Sequence, residues 1–173
     1  PVFYRNAVSN VVQADRLQVL GPDTSGEVEP VVLAMDDGLW LTVGSDHTDR
    51  KAEAMGIALS KQLCGKVLGT AAWRLEDVAV RWESLIVRSH ATIGGKRVLY
   101  QEGTLKSLRH PTDLIARYGG GKPLAAGTVV MGGTMSAIGG IRPATRFEME
   151  LEDPATGDRI THAYDIEVLP VVT

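Results

Sequence analysis

Gly26-Glu27-Val28-Glu29-Pro30-Val31-Val32-Leu33-Ala34-Met35, then Asp36-Asp37-Gly38, then Leu39-Trp40-Leu41-Thr42-Val43-Gly44-Ser45-Asp46 is the stretch that decides the fold. Two runs rich in Val and Leu, Val28–Ala34 and Leu39–Val43, flank an Asp-Asp-Gly segment that suits a hairpin turn. Side chains at i and i+2 of a strand share a face, so Glu27 and Glu29 stand side by side while Val28 points into an apolar layer. Two carboxylates that close repel unless a cation or a proton lies between them. If the two strands pair, Asp46 returns near the start of the first, beside the glutamates. Three carboxylates with no nearby thiol suit a hard, oxygen-preferring ion, Mg²⁺ first and Mn²⁺ or Ca²⁺ next. Spacing alone leaves the alternative open: Glu27 and Glu29 as a solvated strand face, and Asp46 or Thr48 as the N-cap of a following helix.

Outward from this hairpin, strand signals dominate. Arg16–Leu20 is a short run rich in Val and Leu, and Leu85–Ile93 and Arg97–Gln101 flank Gly94-Gly95, which suits a two-residue hairpin turn. Arg146–Glu152 alternates, with Phe147, Met149 and Leu151 on one face and Glu148, Glu150 and Glu152 on the other, the pattern of a half-buried antiparallel strand. The segment from Asp153 to Asp158 turns the chain into a last strand, Ile160–Leu169. Helical spacing covers Arg50–Leu63, Leu75–Trp82 and Pro111–Tyr118, the last stopped by Gly119-Gly120-Gly121. The fold class expected is α+β, β-rich and mostly antiparallel, with helices inserted between strands.

Composition narrows the function classes. At 173 residues the chain is read as one domain, 1–173. A single cysteine, Cys64, excludes an intrachain disulfide and is read as a buried structural thiol. The formal net charge is -3 with no basic run, which gives nucleic-acid binding little support. No apolar run approaches the ~18 residues of a membrane span, and no charged segment followed by an apolar core marks a signal peptide. A cytoplasmic location is expected. The chain begins at Pro1 rather than methionine, which leaves either a removed initiator or missing upstream residues.

Several segments resemble the fumarylacetoacetate hydrolase-like superfamily. Glu27-Val28-Glu29-Pro30-Val31-Val32-Leu33 is similar to its E-x-E-L-A-V-V-I strand, and Ser45-Asp46-His47-Thr48-Asp49-Arg50 to its N-D-x-[ST]-A-R-D segment. Gly65-Lys66-Val67-Leu68-Gly69-Thr70 resembles G-K-S-F-x-T, and the stretch from Gly132 through Gly139 resembles T-G-T-P-x-G-V-G. The run from Ile141 through Glu152 resembles L-x-P-G-D-x-V-E-x-E-I-E. Order and spacing agree from about Gly26 to Val168. The resemblance implies a rolled β-sheet core of the family's C-terminal-domain type and a homodimer. It implies that Glu27, Glu29 and Asp46 hold Mg²⁺ or Mn²⁺. Lys66, with Lys61 in reserve, would lie beside the metal. Arg50 would contact substrate oxygens, and Gly133 and Thr134 the substrate carboxylate. The activity implied is a divalent-metal-dependent hydrolase or lyase of a small oxo or diketo acid, in which an ion chelating a 2-oxo acid stabilises the enolate left by C–C cleavage. Decarboxylation, isomerisation or hydration on the same site is the alternative, and a non-catalytic dimeric module that keeps the fold is a third.

The chain departs from the family pattern in one respect that bears on mechanism. Hydrolytic members use a histidine upstream of the E-x-E strand as general base, and residues 1–26 contain none. His47 is the nearest candidate, with a surface or cap role as its plainer reading. Ser45 stands where the family has asparagine and Asp49 where it has alanine, so Asp49 is either a fourth acidic group or a helix cap. Gln101-Glu102-Gly103-Thr104 resembles the family's Q-x-G-[NT] turn and reads as structural support.

Overall fold

The computed structural model describes residues 1–172. In chain order its elements are β1 (Val11–Val12), β2 (Arg16–Leu20), β3 (Thr24–Ser25), β4 (Val28–Met35), β5 (Gly38–Asp46), β6 (Thr48–Asp49), α1 (Arg50–Glu53), α2 (Ile57–Gln62), β7 (Lys66–Leu68), β8 (Trp73–Arg74), α3 (Leu75–Ala79), β9 (Ile86–Ile93), β10 (Lys96–Thr104), α4 (Pro111–Gly119), β11 (Val129–Met131), β12 (Arg146–Asp153) and β13 (Asp158–Leu169), with three short 3-10 turns between them. The opening hairpin forms as its sequence dictates. β4 and β5 pair antiparallel with Met35 opposite Gly38 and Val28 opposite Ser45, so Glu27 and Asp46 meet at the open end, where the Asp46 N–H donates to the Glu27 carbonyl at 2.9 Å.

Two sheets carry the molecule. The first has the order β1-β7-β5-β4-β11, with β8 also on β5; the second has the order β10-β9-β12-β13-β2. Pairing is antiparallel except β1 with β7 and β13 with β2. β12 buries every second residue, as its alternation requires. Phe147, Met149, Leu151 and Tyr164 from the second sheet meet Val28, Leu41 and Val43 from the first in one core. The β9–β10 turn is made by Gly94 and Gly95, both at positive φ (57° and 76°), which a two-residue hairpin needs and which side chains disfavour. The mixed, strand-rich α+β architecture is the expected one.

α4 covers its expected span, but the other two helical stretches are shorter than their spacing suggests. Arg50–Leu63 is not one helix: α1 ends at Glu53, and α2 begins only after Gly56, which is extended (φ 167°). The glycine interrupts an apolar pattern that reads as continuous, because glycine costs a helix about 1 kcal/mol relative to alanine. Leu75–Trp82 likewise splits into α3 and a 3-10 turn at Trp82–Ser84. α4 closes on Gly120 in the left-handed conformation. Among the described residues no helix is long and apolar enough to cross a membrane.

Gly44 shows how tightly β5 is packed. A Cβ there would sit 2.8 Å from Val31 Cγ2 and 2.9 Å from Leu68 Cδ2, on the two neighbouring strands. Gly44→Ala is expected to cost about 1–3 kcal/mol in urea unfolding, the usual penalty of overpacking a core. A neutral effect would mean that these strands separate more easily than their packing implies.

Candidate metal centre

The hairpin's open end brings three carboxylates together. One oxygen from each of Glu27, Glu29 and Asp46 lies within 4.8 Å of the others. Glu29 and Asp46 are buried and Glu27 is half-buried. Strand geometry produces this cluster: Glu27 and Glu29 share the face that Val28 avoids, and Val28 is fully buried in the core.

Cations surround the cluster. Lys61 Nζ, delivered by α2, donates to Asp46 Oδ2 and, at 3.2 Å, to Glu27 Oε2. Burial alone would lower the Lys61 pKa, but Asp46 and Glu27 outweigh it and hold the ammonium above its usual range. Arg50 donates from Nη2 to Glu27 Oε1 at 2.9 Å, from Nη1 to Glu53 at 3.1 Å and from Nε to Ser25 at 2.7 Å. Lys66 is 1% exposed. Its Nζ donates to the His47 carbonyl at 2.5 Å and lies 2.9 Å from Asp46 Oδ1. That last approach is too poorly aligned for a hydrogen bond, so buried Asp46 Oδ1 accepts none.

Glu29 is the least compensated of the three. Its Oε2 accepts only the Gly133 N–H, at 2.8 Å. Burial, and then the neighbouring Asp46 charge, pushes its pKa up to about 8. An orphaned buried oxygen and a carboxyl held near neutrality by lack of positive charge fit a site for one more cation. The donors are all carboxylate oxygens, which suits Mg²⁺ or Mn²⁺.

The residues expected around the metal are placed unequally. Lys61, Lys66, Gly133 and Thr134 all line the cavity that holds the triad. Thr134 Oγ1 is committed to structure: it donates to the Val28 carbonyl at 2.7 Å and accepts from Gln101 Nε2 at 2.8 Å. Gln101 Oε1 in turn accepts the Val28 N–H at 3.0 Å, so this buried amide ties the ligand strand to the glycine-rich loop. Arg50 is not among the residues lining the cavity and stands behind Glu27. Asp49 is the helix cap, accepting the Ala52 N–H at 2.8 Å, in place of the Asp46 or Thr48 that spacing also allowed.

His47 is neither a surface nor a cap residue, which corrects the plainer reading of the sequence. It is fully buried, does not line the cavity, and has both ring nitrogens engaged. Nε2 lies 2.8 Å from Thr24 Oγ1 and Nδ1 2.8 Å from the Tyr164 hydroxyl. That hydroxyl donates to Ser45 Oγ, so it accepts from Nδ1–H and the ring is assigned as the Nδ1–H tautomer. Burial, and then Lys66, pushes the imidazole pKa down to about 3. Tyr164, Thr24 and Ser25 are site-supporting residues that the sequence did not mark; Tyr164 is 117 residues from its histidine partner. Tyr164→Phe strands the His47 Nδ1–H in a buried position and leaves Ser45 Oγ with only the Glu27 N–H as donor. It is expected to destabilise the protein by about 1–3 kcal/mol in urea, and no loss would mean that the network carries no net stability.

Cys64 is buried, as expected, and burial pushes its thiol up to about 11. At pH 8 the folded protein should leave an aromatic disulfide reagent essentially unreacted until denaturant is added. Rapid reaction of the native protein would contradict the burial.

The family model of DUF2848, whose description is "protein of unknown function", matches residues 1–164. The chain belongs to the DUF2848 family. Among curated proteins no sequence matches this DUF2848 chain. Solved structures do. A hexagonal crystal form of 2-keto-3-deoxyarabinonate dehydratase aligns at TM-score 0.70 with 17% identity, covering 98% of this chain and 62% of that one. The 2-keto-3-deoxy-D-arabinonate dehydratase complexed with magnesium and 2,5-dioxopentanoate aligns at 0.65 with 17% identity, covering 92% and 58%. Cg1458 aligns at 0.65 with 14% identity, covering 93% and 66%. The DUF2848 chain thus spans about three fifths of the length of these structures. At such identities the likeness establishes the fold alone: curled sheets of the fumarylacetoacetate hydrolase C-terminal-domain type.

Proposed function

We propose that this protein is a divalent-metal-dependent enzyme of the fumarylacetoacetate hydrolase-like superfamily acting on a small oxo or diketo acid. The observation that carries the reading is the convergence of Glu27, Glu29 and Asp46 in the lining of a cavity of about 850 Å³. Pockets of this size are typical of small-molecule sites. A bound Mg²⁺ or Mn²⁺ would supply Lewis-acid stabilisation of negative charge on the substrate. Arg50 holds Glu27 in place from behind. Lys66 fixes Asp46 through its charge and the adjacent His47 carbonyl through a hydrogen bond. Gly133 orients Glu29 through its N–H. Lys61 lines the cavity, bonds to both Glu27 and Asp46 and is held as an ammonium, which makes it the candidate to donate a proton near the substrate.

The groups that face the cavity support one reaction class over the other. C–C cleavage by hydrolysis requires an activated water, and His47 is committed to Tyr164 and Thr24. Lys61 and Lys66 line the cavity and could donate protons there, which favours a dehydration, decarboxylation or isomerisation. That second reading is also in keeping with a dehydratase among the structural neighbours. A homodimer in the cytoplasm completes the proposal, with the dimer checked by sedimentation. The functional test is exchange of the C3 protons of 2-oxobutanoate with D₂O, followed by NMR. Exchange that depends on Mg²⁺ and disappears in Lys61→Met is expected. No acceleration over metal in buffer would remove oxo acids as the substrate class.

A further inference from the structure

The triad occupies only one end of its cavity. β11 pairs with β4, with Met131 opposite Val31, Val130 opposite Val32 and Val129 opposite Leu33. Gly133, two residues past the end of β11, donates to Glu29. The wall therefore runs from the level of Glu29 to that of Leu33, four strand residues or roughly 13 Å away from the carboxylates. Val129, Val130 and Met131 line the cavity along that length, and Leu114 and Ile115 of α4, with Leu108 before it, also line it. Polar groups share this lining, among them Asn6, Ser107 and Thr128, and its two arginines are engaged. Arg109 is paired with Asp113 at 3.1 Å, and Arg5 lies over the Tyr118 ring at 5.5 Å and donates to its hydroxyl.

An ionic end continuous with a long aliphatic wall fits a molecule with a charged head and an apolar tail. We infer that the substrate is a 2-oxo acid bearing an alkyl or aryl substituent that lies along Val129–Met131 and Ile115, and is not a polyhydroxylated sugar-derived acid. A hydroxylated chain laid along Val129–Met131 and Ile115 would lose water against aliphatic side chains, whereas each methylene buried there gains affinity. The inference rests on the oxo-acid reading of the same site and narrows it.

The test measures binding to the full chain saturated with Mn²⁺, by calorimetry. The ligands are pyruvate, 2-oxohexanoate, 2-oxooctanoate and a polyhydroxylated 2-oxo acid of matched length. Affinity is expected to rise about fourfold per added methylene, the factor corresponding to transfer of one CH₂ from water. The hydroxylated acid should bind no tighter than pyruvate. Ile115→Asn should shrink the preference for 2-oxooctanoate over pyruvate by about threefold or more. A flat alkyl series, or a hydroxylated acid that outbinds its alkyl counterpart, overturns the inference while leaving the oxo-acid head intact. Failure of every ligand, pyruvate included, overturns the oxo-acid reading and the tail with it. The unsubstituted chain carries the ligand series even if the Ile115 variant does not fold.

Discussion

Replacing Glu29 by glutamine should weaken Mg²⁺ or Mn²⁺ binding by about 100-fold, roughly 2.7 kcal/mol, while the fold stays intact. Glutamine keeps the shape and an oxygen for the Gly133 N–H, which Glu29 Oε2 accepts at 2.8 Å. What it removes is a charge that burial and Asp46 already disfavour. The metal-free variant is therefore expected to melt at the same temperature as the parent or higher. Adding Mg²⁺ should raise the melting temperature of the parent and not that of the variant, since a ligand stabilises only the state it binds. Calorimetric titration and thermal melts give both readouts. Unchanged metal affinity in the variant would remove Glu29 from the ligand set.

Lys66→Met should produce the largest loss of stability. The ammonium is 1% exposed, lies 2.9 Å from Asp46 Oδ1 and donates to the His47 carbonyl. Methionine fills a similar volume but leaves a buried carboxylate short of one positive neighbour. Breaking a buried pair from one side costs about 3–5 kcal/mol, which for a chain of this size lowers the melting temperature by roughly 6–20 °C. Saturating Mg²⁺ should restore part of the loss, because the ion supplies charge at the same carboxylate. A loss below about 1 kcal/mol in urea would mean that Asp46 is adequately compensated by Lys61 alone.

What the sequence made legible is local. The alternation of β12, the glycine pair between β9 and β10, and the hairpin that juxtaposes Glu27, Glu29 and Asp46 all depend on residues close in the chain. What it hid is long-range. His47 sits in a stretch of polar residues and reads as exposed; its burial depends on Tyr164, brought across by β13 of the other sheet. Arg50 follows the aspartate at the spacing of a substrate-binding arginine, yet in the fold it faces Glu27, because α1 turns it back toward Ser25 and Glu53. The first twelve residues show no periodicity. Their placement along the cavity follows from the parallel pairing of β1 with β7, a contact that no local pattern encodes. The break at Gly56 was visible as a residue but not as a boundary, since an isolated glycine is tolerated in helices whenever packing outweighs its cost.

The most direct measurement is a titration of the metal-stripped, unsubstituted protein with Mn²⁺, followed by electron paramagnetic resonance of the free ion and repeated in competition with Mg²⁺. One Mn²⁺ bound per chain and displaced by Mg²⁺ is the expected result, and it would make the three carboxylates a metal centre. No binding of either ion would mean that Lys61, Lys66 and Arg50 complete the neutralisation of Glu27, Glu29 and Asp46, and that the cluster is a buried ion-pair network inside a fold without metal chemistry.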